Sequence, residues 1–214
     1  MPAVRRPRSL LLAVLPLVVP GLAACDSGGP QGGSSGASSP SASSTPLTAL
    51  DTAGMVVPRS SFCERVAPAD AQRALDAKVA SSTSYGNGDR AQLTPRVRDV
   101  AHEFGCTWTA TDGTLARAWV FTPPVTLTRA RQLRRTAADP GCRVLPWAPA
   151  FGSPSVAVRC REPGPRVRTT FSGLFGDAWL SCELDVAGRR VTGLADRTGQ
   201  WCVTVARAAS DTSG

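Results

Sequence analysis

The sequence predicts an α+β domain with two layers: an antiparallel sheet, and about three helices that pack on it. Runs of alternating apolar and polar residues are typical of strands that bury one face, and short turns rich in Gly and Pro separate these runs. Apolar residues also recur at helical spacing in other segments. A third observation, six cysteines between residues 58 and 209, predicts that three disulfides staple the domain.

The first helix is predicted to begin at Pro68, because proline lacks an N–H and suits the first turn of a helix. The segment extends to about Val79, and its apolar face consists of Ala71, Ala74 and Leu75. Residues 81–89 contain Gly86-Asn87-Gly88 and are predicted to form a loop.

A hairpin is predicted around Asp112-Gly113, a favoured pair in two-residue turns. Counting outward from this turn gives cross-strand pairs on one face, expected to be the core face: Ala110 with Leu115, Trp108 with Arg117, Cys106 with Trp119, and Phe104 with Phe121. In this register Arg117 lies opposite Trp108, and the predicted contact between them is a cation–π pair at the rim.

A second helix is predicted after Pro123-Pro124, with one face made of Leu127, Ala130, Leu133 and Ala137. Arg131 and Arg135 lie one turn apart on its outer side and, with Arg129 and Arg134, form the strongest basic cluster of the sequence. This cluster is suited to an acidic partner or to a phosphate-bearing polymer. The alternative is a basic helix face that is merely solvated.

Three more strands are predicted from alternating patterns, over Ser155 to Arg161, Arg166 to Phe171, and Trp179 to Val186. A weaker strand is expected near Val191. The last helix is predicted within Thr198 to Ala209, with an apolar face that includes Trp201, Val205 and Ala208.

The amino terminus has a basic segment with Arg5, Arg6 and Arg8, an apolar segment from Leu10 to Val19, and then Leu22-Ala23-Ala24-Cys25. This order resembles the signal and lipobox of bacterial lipoproteins. The resemblance implies that residues 1–24 are removed and that Cys25 then carries a diacylglyceryl thioether, whose acyl chains anchor the protein stably. An ordinary signal peptide cleaved after Ala24 and a retained membrane span are the alternatives.

The chain after Cys25 is predicted to have three parts. Residues 25–57 form a lipidated cysteine and a disordered tether, because Ser, Gly, Pro and Ala dominate from Asp26 to about Pro46. Residues 58–209 are expected to form a single globular domain, and residues 210–214 a tail. The formal net charge of +8 is carried almost entirely by Arg. We expect no nucleic-acid partner outside the membrane, whereas attraction to anionic lipids or wall polymers fits this charge.

The six cysteines after Cys25 are expected to form disulfides, because thiols of exported proteins are readily oxidised. They are Cys63, Cys106, Cys142, Cys160, Cys182 and Cys202. Six cysteines allow 15 pairings, and the order of the predicted elements favours pairing in sequence order. No C-x-x-C occurs and the chain has one histidine, so no metal site or redox centre is predicted.

Several features together resemble actinobacterial cell-surface lipoproteins with a domain of unknown function. They are the lipobox, the tether, a cysteine before a short helix that begins with proline (Cys63 to Leu75), Cys106-Thr107-Trp108, the turn Gly173-Leu174-Phe175-Gly176-Asp177-Ala178, and a final helix that carries a cysteine. The resemblance implies an anchored protein on the outer face of the cell membrane, an α+β fold and disulfides. It carries no established activity over to this chain.

The functional prediction is a binding or protein-interaction module of the cell envelope, with no catalytic residue and no cofactor. His102 is the one histidine, and the globular part contains neither G-x-S-x-G nor S-x-x-K. Trp147, in a Pro-rich loop, and Trp179, out of phase with the apolar face of its strand, are the candidate contact residues together with Arg131 and Arg135. One alternative is a wall hydrolase that uses His102 and carboxylates from Asp177, Glu183 and Asp185. Without such an activity, Glu183 and Asp185 are interpreted as the exposed face of their strand. A carrier of lipid or small molecules is another alternative.

Overall fold

A computed structural model of the chain describes residues 44–94, 97–188 and 192–210. These residues form three α-helices, α1 (Pro68–Leu75), α2 (Leu127–Arg135) and α3 (Leu194–Ser210). They also form nine strands: β1 (Val79–Tyr85), β2 (Arg90–Thr94), β3 (Val97–Val100), β4 (Glu103–Ala110), β5 (Leu115–Phe121), β6 (Cys142–Val144), β7 (Ser155–Glu162), β8 (Arg166–Phe175) and β9 (Ala178–Ala187). The predicted signal, the lipidated Cys25, most of the tether and the strand near Val191 lie outside the described residues.

Within the described ranges, seven strands form one antiparallel sheet in the order β1-β4-β5-β9-β8-β7-β6, and β2 pairs with β3 as a separate hairpin. Helices α1 and α3 pack on one face of the large sheet, which we call the inner face. The other face, the outer face, packs against α2 at one end. The predicted α+β class, with an antiparallel sheet, three helices and three disulfides, is confirmed.

The main core lies between the inner face and α3. Leu180, Cys182 and Leu184 of the central strand β9 alternate toward this helix and are fully buried. On α3, Trp201 packs edge-to-face on Trp108 with ring centroids 5.1 Å apart, and its indole N–H donates to a main-chain oxygen of β5 (3.1 Å). Burying a large ring with its polar atom satisfied fixes α3 against the strands.

The predicted register of the β4–β5 hairpin is wrong by one residue. The N–H of Ala110 donates to the oxygen of Thr114 (2.8 Å) and the N–H of Gly113 donates to the oxygen of Ala110 (3.0 Å), so the loop contains three residues. Gly113 takes the left-handed conformation (φ 81°) that such a loop requires. The Asp112 carboxylate also accepts the N–H of Thr114 (2.8 Å), and this contact lowers the pKa of the carboxyl.

The one-residue difference turns the predicted core face of β5 outward. The observed pairs are Trp108 with Ala116, Cys106 with Ala118, Phe104 with Val120, and Thr107 with Arg117. Ala116, Ala118 and Val120 therefore face the core, whereas Arg117 and Trp119 lie on the outer face. The cation–π contact of Arg117 is made with Trp119, at 5.5 Å from the ring centroid, and not with Trp108.

The segment after α1 also differs from the prediction. Asp76 is left-handed (φ 54°) and ends the helix, so α1 stops before Val79, which begins β1. Residues 81–85 are then a strand and not a loop. The sequence gives no alternating pattern there because β1 is an edge strand with mostly exposed side chains, and its pairing with β4 defines it.

Residues 44–57 were assigned to the tether, yet part of this segment packs on the domain. Leu47, in the 3-10 helix Leu47–Ala49, and Val57 are buried in the main core. Gly199 of α3 permits this packing, because a Cβ there would lie 3.2 Å from the Cβ of Leu47. Two apolar side chains at the end of a Ser- and Pro-rich stretch are enough to hold it on the helix.

The three disulfides pair Cys63 with Cys106, Cys142 with Cys160, and Cys182 with Cys202, in the predicted sequence order. The first bond ties the segment before α1 to β4, the second joins β6 to β7, and the third joins β9 to α3. Loops of this length contribute about 3 to 4 kcal/mol each in the chain-entropy account. The first and third bonds therefore link the helical layer on the inner face to the sheet, and the second links two strands within the sheet.

Candidate functional site

The four residues predicted to contact a partner lie in different surroundings. Trp147 is 62% exposed, whereas Trp179 is 4% exposed and belongs to the apolar cluster under α2. Arg131 and Arg135 are exposed on α2. The structure does not bring these residues together, and Trp179 is not available to a partner.

Trp147 borders a cavity of about 340 Å³ on the inner-face side of the domain. The 3-10 segment with Pro46 and Leu47 forms another wall, and Gln200 of α3 a third. This exposed tryptophan is the one predicted contact residue that lies beside a cavity among the described residues.

The outer face of the sheet carries a second cavity with a charged lining. Three adjacent strands supply the polar network beside it, because register places Glu183 of β9 between Arg117 of β5 and Thr170 of β8. Asp185 lies two residues after Glu183, on the same face of β9, and is the cross-strand partner of Arg168. Alternation along the strands therefore aligns these polar side chains on one face.

Arg117 and Glu183 form a buried ion pair at the middle of this face. Their side chains approach to 3.1 Å, and the residues are 8% and 2% exposed. The Thr170 hydroxyl donates to the second oxygen of Glu183 (3.1 Å), and a guanidinium N–H of Arg117 donates to the main-chain oxygen of Leu93 in the β2–β3 hairpin. The pair is thus hydrogen-bonded from both sides, which offsets part of its desolvation cost.

Further ion pairs extend the network across β8 toward β7. Arg168 is 2.9 Å from Glu162 and 3.9 Å from Glu183, so it bridges two carboxylates. Arg166 donates to Asp185 (3.0 Å). Burial raises the pKa of the Asp185 carboxyl, and Arg166 opposes that effect.

The β2–β3 hairpin lies over this network and encloses a cavity of about 310 Å³, which we call the hairpin cavity. Gln92 and Thr94 line it from the hairpin. The sheet contributes charged residues and threonine hydroxyls: Arg117, Glu162, Arg168, Glu183, Asp185, Thr83 and Thr107. This volume is at the lower end of the range for ligand pockets, about 300 to 1,000 Å³.

Tyr85 and Glu103 extend the polar face toward the edge strand. The Tyr85 hydroxyl donates to the Glu103 carboxylate (2.5 Å), and its ring lies over Gly105, where any Cβ would overlap it. Burial raises the pKa of the Glu103 carboxyl, while the Tyr85 hydrogen bond and Arg117 oppose the increase. Burial and the neighbouring Glu103 raise the pKa of Tyr85 as well.

The interpretation of Glu183 and Asp185 as an exposed strand face is wrong. Both are buried, the second at 6% exposure, because neighbouring side chains and the hairpin cover them. A signal was present in the sequence: Arg166 and Arg168 alternate on the preceding strand with the same period as the two acids. Opposite charges at matching positions of adjacent strands indicate cross-strand pairs.

His102 and Asp177, named for the hydrolase alternative, do not line the hairpin cavity. His102 is exposed just before β4. Asp177 lies in the turn before β9, where Arg59 approaches it to 3.4 Å.

In residues 44–94, 97–188 and 192–210, no cluster of three or more His, Cys, Asp or Glu side chains could hold a metal ion. Over the same ranges, no helix is both long enough and apolar enough to span a membrane.

No protein-family model matches the chain, and a search of the curated proteins finds no match.

Proposed function

We propose that this protein is a membrane-anchored extracytoplasmic lipoprotein that acts as a binding module of the cell envelope, with its ligand held in the hairpin cavity. The observation that carries the proposal is the placement of buried charges around an accessible cavity. A buried ion pair such as Arg117–Glu183 stabilises a fold no better than apolar residues of similar volume would. Clusters of buried ionisable groups beside a cleft are a feature of binding and catalytic sites.

The lining indicates the chemical class of the ligand. The charges oppose one another in pairs, so the cavity offers hydrogen-bond donors and acceptors with little net charge. Thr83, Thr107 and Gln92 add neutral hydrogen-bonding groups. This combination suits an uncharged molecule rich in hydroxyl and amide groups. The volume of the hairpin cavity suits one or two sugar units of a wall glycan.

Binding can be tested by titrating the purified domain with the mono- and disaccharide of N-acetylglucosamine and recording amide chemical shifts. We expect shifts on β2, β5 and β9. Thr107→Val removes a lining hydroxyl at nearly constant shape and should weaken binding at least fivefold. Thr109→Val is the matched control, because Thr109 lies on the same strand and face but outside the lining. Equal effects of the two variants, or shifts only around Trp147, would overturn this assignment.

The anchored location rests on the lipobox at residues 22–25 and is tested separately. Unreduced protein from its own membrane fraction should give an amino-terminal Cys25 with a diacylglyceryl mass and the three disulfide-linked peptides. An unmodified amino terminus would refute the anchor without affecting the cavity.

A second candidate function is acid–base hydrolysis of a wall glycan. One observation favours it: burial raises the pKa of the Asp185 carboxyl, which lines the same cavity as Glu183, so Asp185 could donate the proton to the leaving group. Asp185→Asn should then abolish release of reducing sugar from peptidoglycan, whereas Asp177→Asn should retain it. No release by the wild-type protein would exclude this candidate.

A carrier of lipid or small molecules is a further alternative, and its ligand would need an apolar cavity. An envelope protein is the proposed partner of Arg131 and Arg135. An anionic wall polymer is the other proposed partner of the protein, and its contacts are considered below.

A further inference from the structure

A third cavity, of about 330 Å³, lies on the inner-face side between α1, α3 and residues 44–45. Four arginines of the described chain line it: Arg65 from the 3-10 helix Cys63–Arg65, Arg73 from α1, and Arg197 and Arg207 from α3. We call it the arginine cleft. Asp70 is the one carboxylate in the same lining, so the cleft carries a clear excess of positive charge among the described residues.

Contacts within the protein hold these guanidinium groups in place, and two of the four bond to uncharged acceptors. Arg65 donates its Nε–H to the main-chain oxygen of Ala208 (2.6 Å), and Arg207 donates to the hydroxyl of Thr45 (3.3 Å). Both acceptors are uncharged. In each of these two hydrogen bonds one guanidinium nitrogen is the donor and the full positive charge remains.

The two other arginines have acidic neighbours. Arg73 pairs with Asp70 one turn away on α1, and Arg197 lies 3.6 Å from the exposed Asp76. The Nε of Arg197 is nevertheless buried without a hydrogen-bond partner among the described residues. A buried guanidinium N–H that lacks an acceptor is costly.

The positive charges are spread along the cleft. Arg197 and Arg207 are ten residues apart on one helix, which separates their Cα atoms by about 15 Å at 1.5 Å per residue. Gln200 and Thr204 line the cleft between them. A single small anion can contact one end of this row, whereas a chain of regularly spaced anions can contact all of it.

We propose that the arginine cleft binds a segment of a phosphodiester polymer, with successive phosphates along α3. Guanidinium groups suit this ligand because they present paired N–H donors to phosphate oxygens and stay charged at every physiological pH. The cleft lies on the sheet face opposite the hairpin cavity, so this assignment is independent of the proposed glycan site. It also differs from the basic face of α2, where Arg131 and Arg135 project from a convex helix surface.

The test compares two variants with the same loss of charge. Arg73→Gln with Arg207→Gln removes two charges from the cleft, and Arg131→Gln with Arg135→Gln removes two from α2. The probe is a synthetic glycerol phosphate oligomer of about ten units, measured by calorimetry at low salt. We expect the cleft variant to weaken binding at least tenfold and the α2 variant less than twofold, with affinity falling as salt rises.

Further binding measurements distinguish a phosphodiester polymer from a small phosphate compound and from a lipid headgroup. Monomeric glycerol phosphate should bind at least tenfold more weakly than the oligomer, and vesicles of phosphatidylglycerol with phosphatidylcholine should bind the soluble domain no better than phosphatidylcholine alone. Thr204→Glu, which adds a carboxylate to the middle of the cleft without removing an arginine, should also abolish oligomer binding. Equal loss in both double variants, equal affinity for monomer and oligomer, or binding to the anionic vesicles alone would each overturn the proposal.

Discussion

Replacing Arg117 by Met tests whether the buried charge network is as closely coupled as its geometry indicates. Methionine keeps an unbranched apolar stem and removes the guanidinium. The change leaves Glu183 buried without its closest cation, which lies 3.1 Å away in the intact protein. It also leaves the oxygen of Leu93 without its guanidinium donor and so weakens the attachment of the β2–β3 hairpin.

The cost can be bounded from the contacts that remain. Breaking a buried ion pair by removing one partner costs about 3 to 5 kcal/mol, because the other charge is left uncompensated. Glu183 would keep the Thr170 hydroxyl and the guanidinium of Arg168 at 3.9 Å, which places the expected loss near the lower end. We therefore expect Arg117→Met to lower the free energy of unfolding by about 3 kcal/mol.

The measurement is urea unfolding followed by tryptophan fluorescence, with Arg143→Met as the control. Arg143 is exposed on the edge strand β6, and its replacement should change stability by no more than about 0.5 kcal/mol. The double variant Arg117→Met with Glu183→Met removes both charges and should regain at least about 2 kcal/mol relative to Arg117→Met alone. A loss below about 1 kcal/mol for Arg117→Met, or no recovery in the double variant, would refute the reasoning.

Three other predictions follow from the same structure. Gly105→Ala should displace the ring of Tyr85 and lower the free energy of unfolding by about 1 to 3 kcal/mol in urea. Folding raises the pKa of the Glu103 carboxyl, so the protonated group stabilises the folded state at acid pH. This stabilisation is lost as the pH rises from the ordinary carboxyl range through the raised pKa. In urea titrations from pH 4 to 8, Glu103→Gln should therefore remove this pH-dependent loss of stability. Trp179→Ala should cost about 3 to 5 kcal/mol, whereas Trp147→Ala should leave thermal unfolding almost unchanged.

Each of these predictions has a contradicting result. Wild-type stability for Gly105→Ala would mean that the Tyr85 ring does not rest on the glycine. An unchanged pH profile in Glu103→Gln would remove this carboxyl from the pH dependence of folding. Similar stability losses for the two tryptophan variants would contradict their difference in burial.

The fold class was predictable because it depends on patterns that are local in the sequence. Alternation over residues 155–161 and 179–186 identified two strands that the structure contains, and the apolar spacing around Trp201 identified α3. The predicted disulfide pairing is also confirmed, and two of the three bonds join elements that are consecutive in the chain, β6 with β7 and β9 with α3. The sequence pattern did not predict the edge strand β1, because its stability comes from hydrogen bonds to β4 and not from burial of its own side chains.

The hairpin register was not predictable from the turn residues alone. Asp112-Gly113 fits a two-residue loop, and it fits equally a three-residue loop in which Gly113 takes the left-handed position. The side chains do not resolve the choice by apolarity, since Ala116 and Ala118 compete with the larger Leu115 and Trp119 for the core face. The inner face accepts alanines on β5 because Trp108 and Trp201 fill the space above them.

The candidate site was missed for a related physical reason. Glu183 and Asp185 alternate with apolar residues, as polar residues do on a strand with one solvated face. The pattern of β9 alone does not show that the β2–β3 hairpin covers this face. In the structure β9 is the middle strand of the large sheet, and both of its faces are covered. Apolar residues at these positions would avoid the desolvation cost of the charges. The retention of charges on the most buried strand, beside a cavity, is therefore better explained by what the cavity binds than by the stability of the sheet.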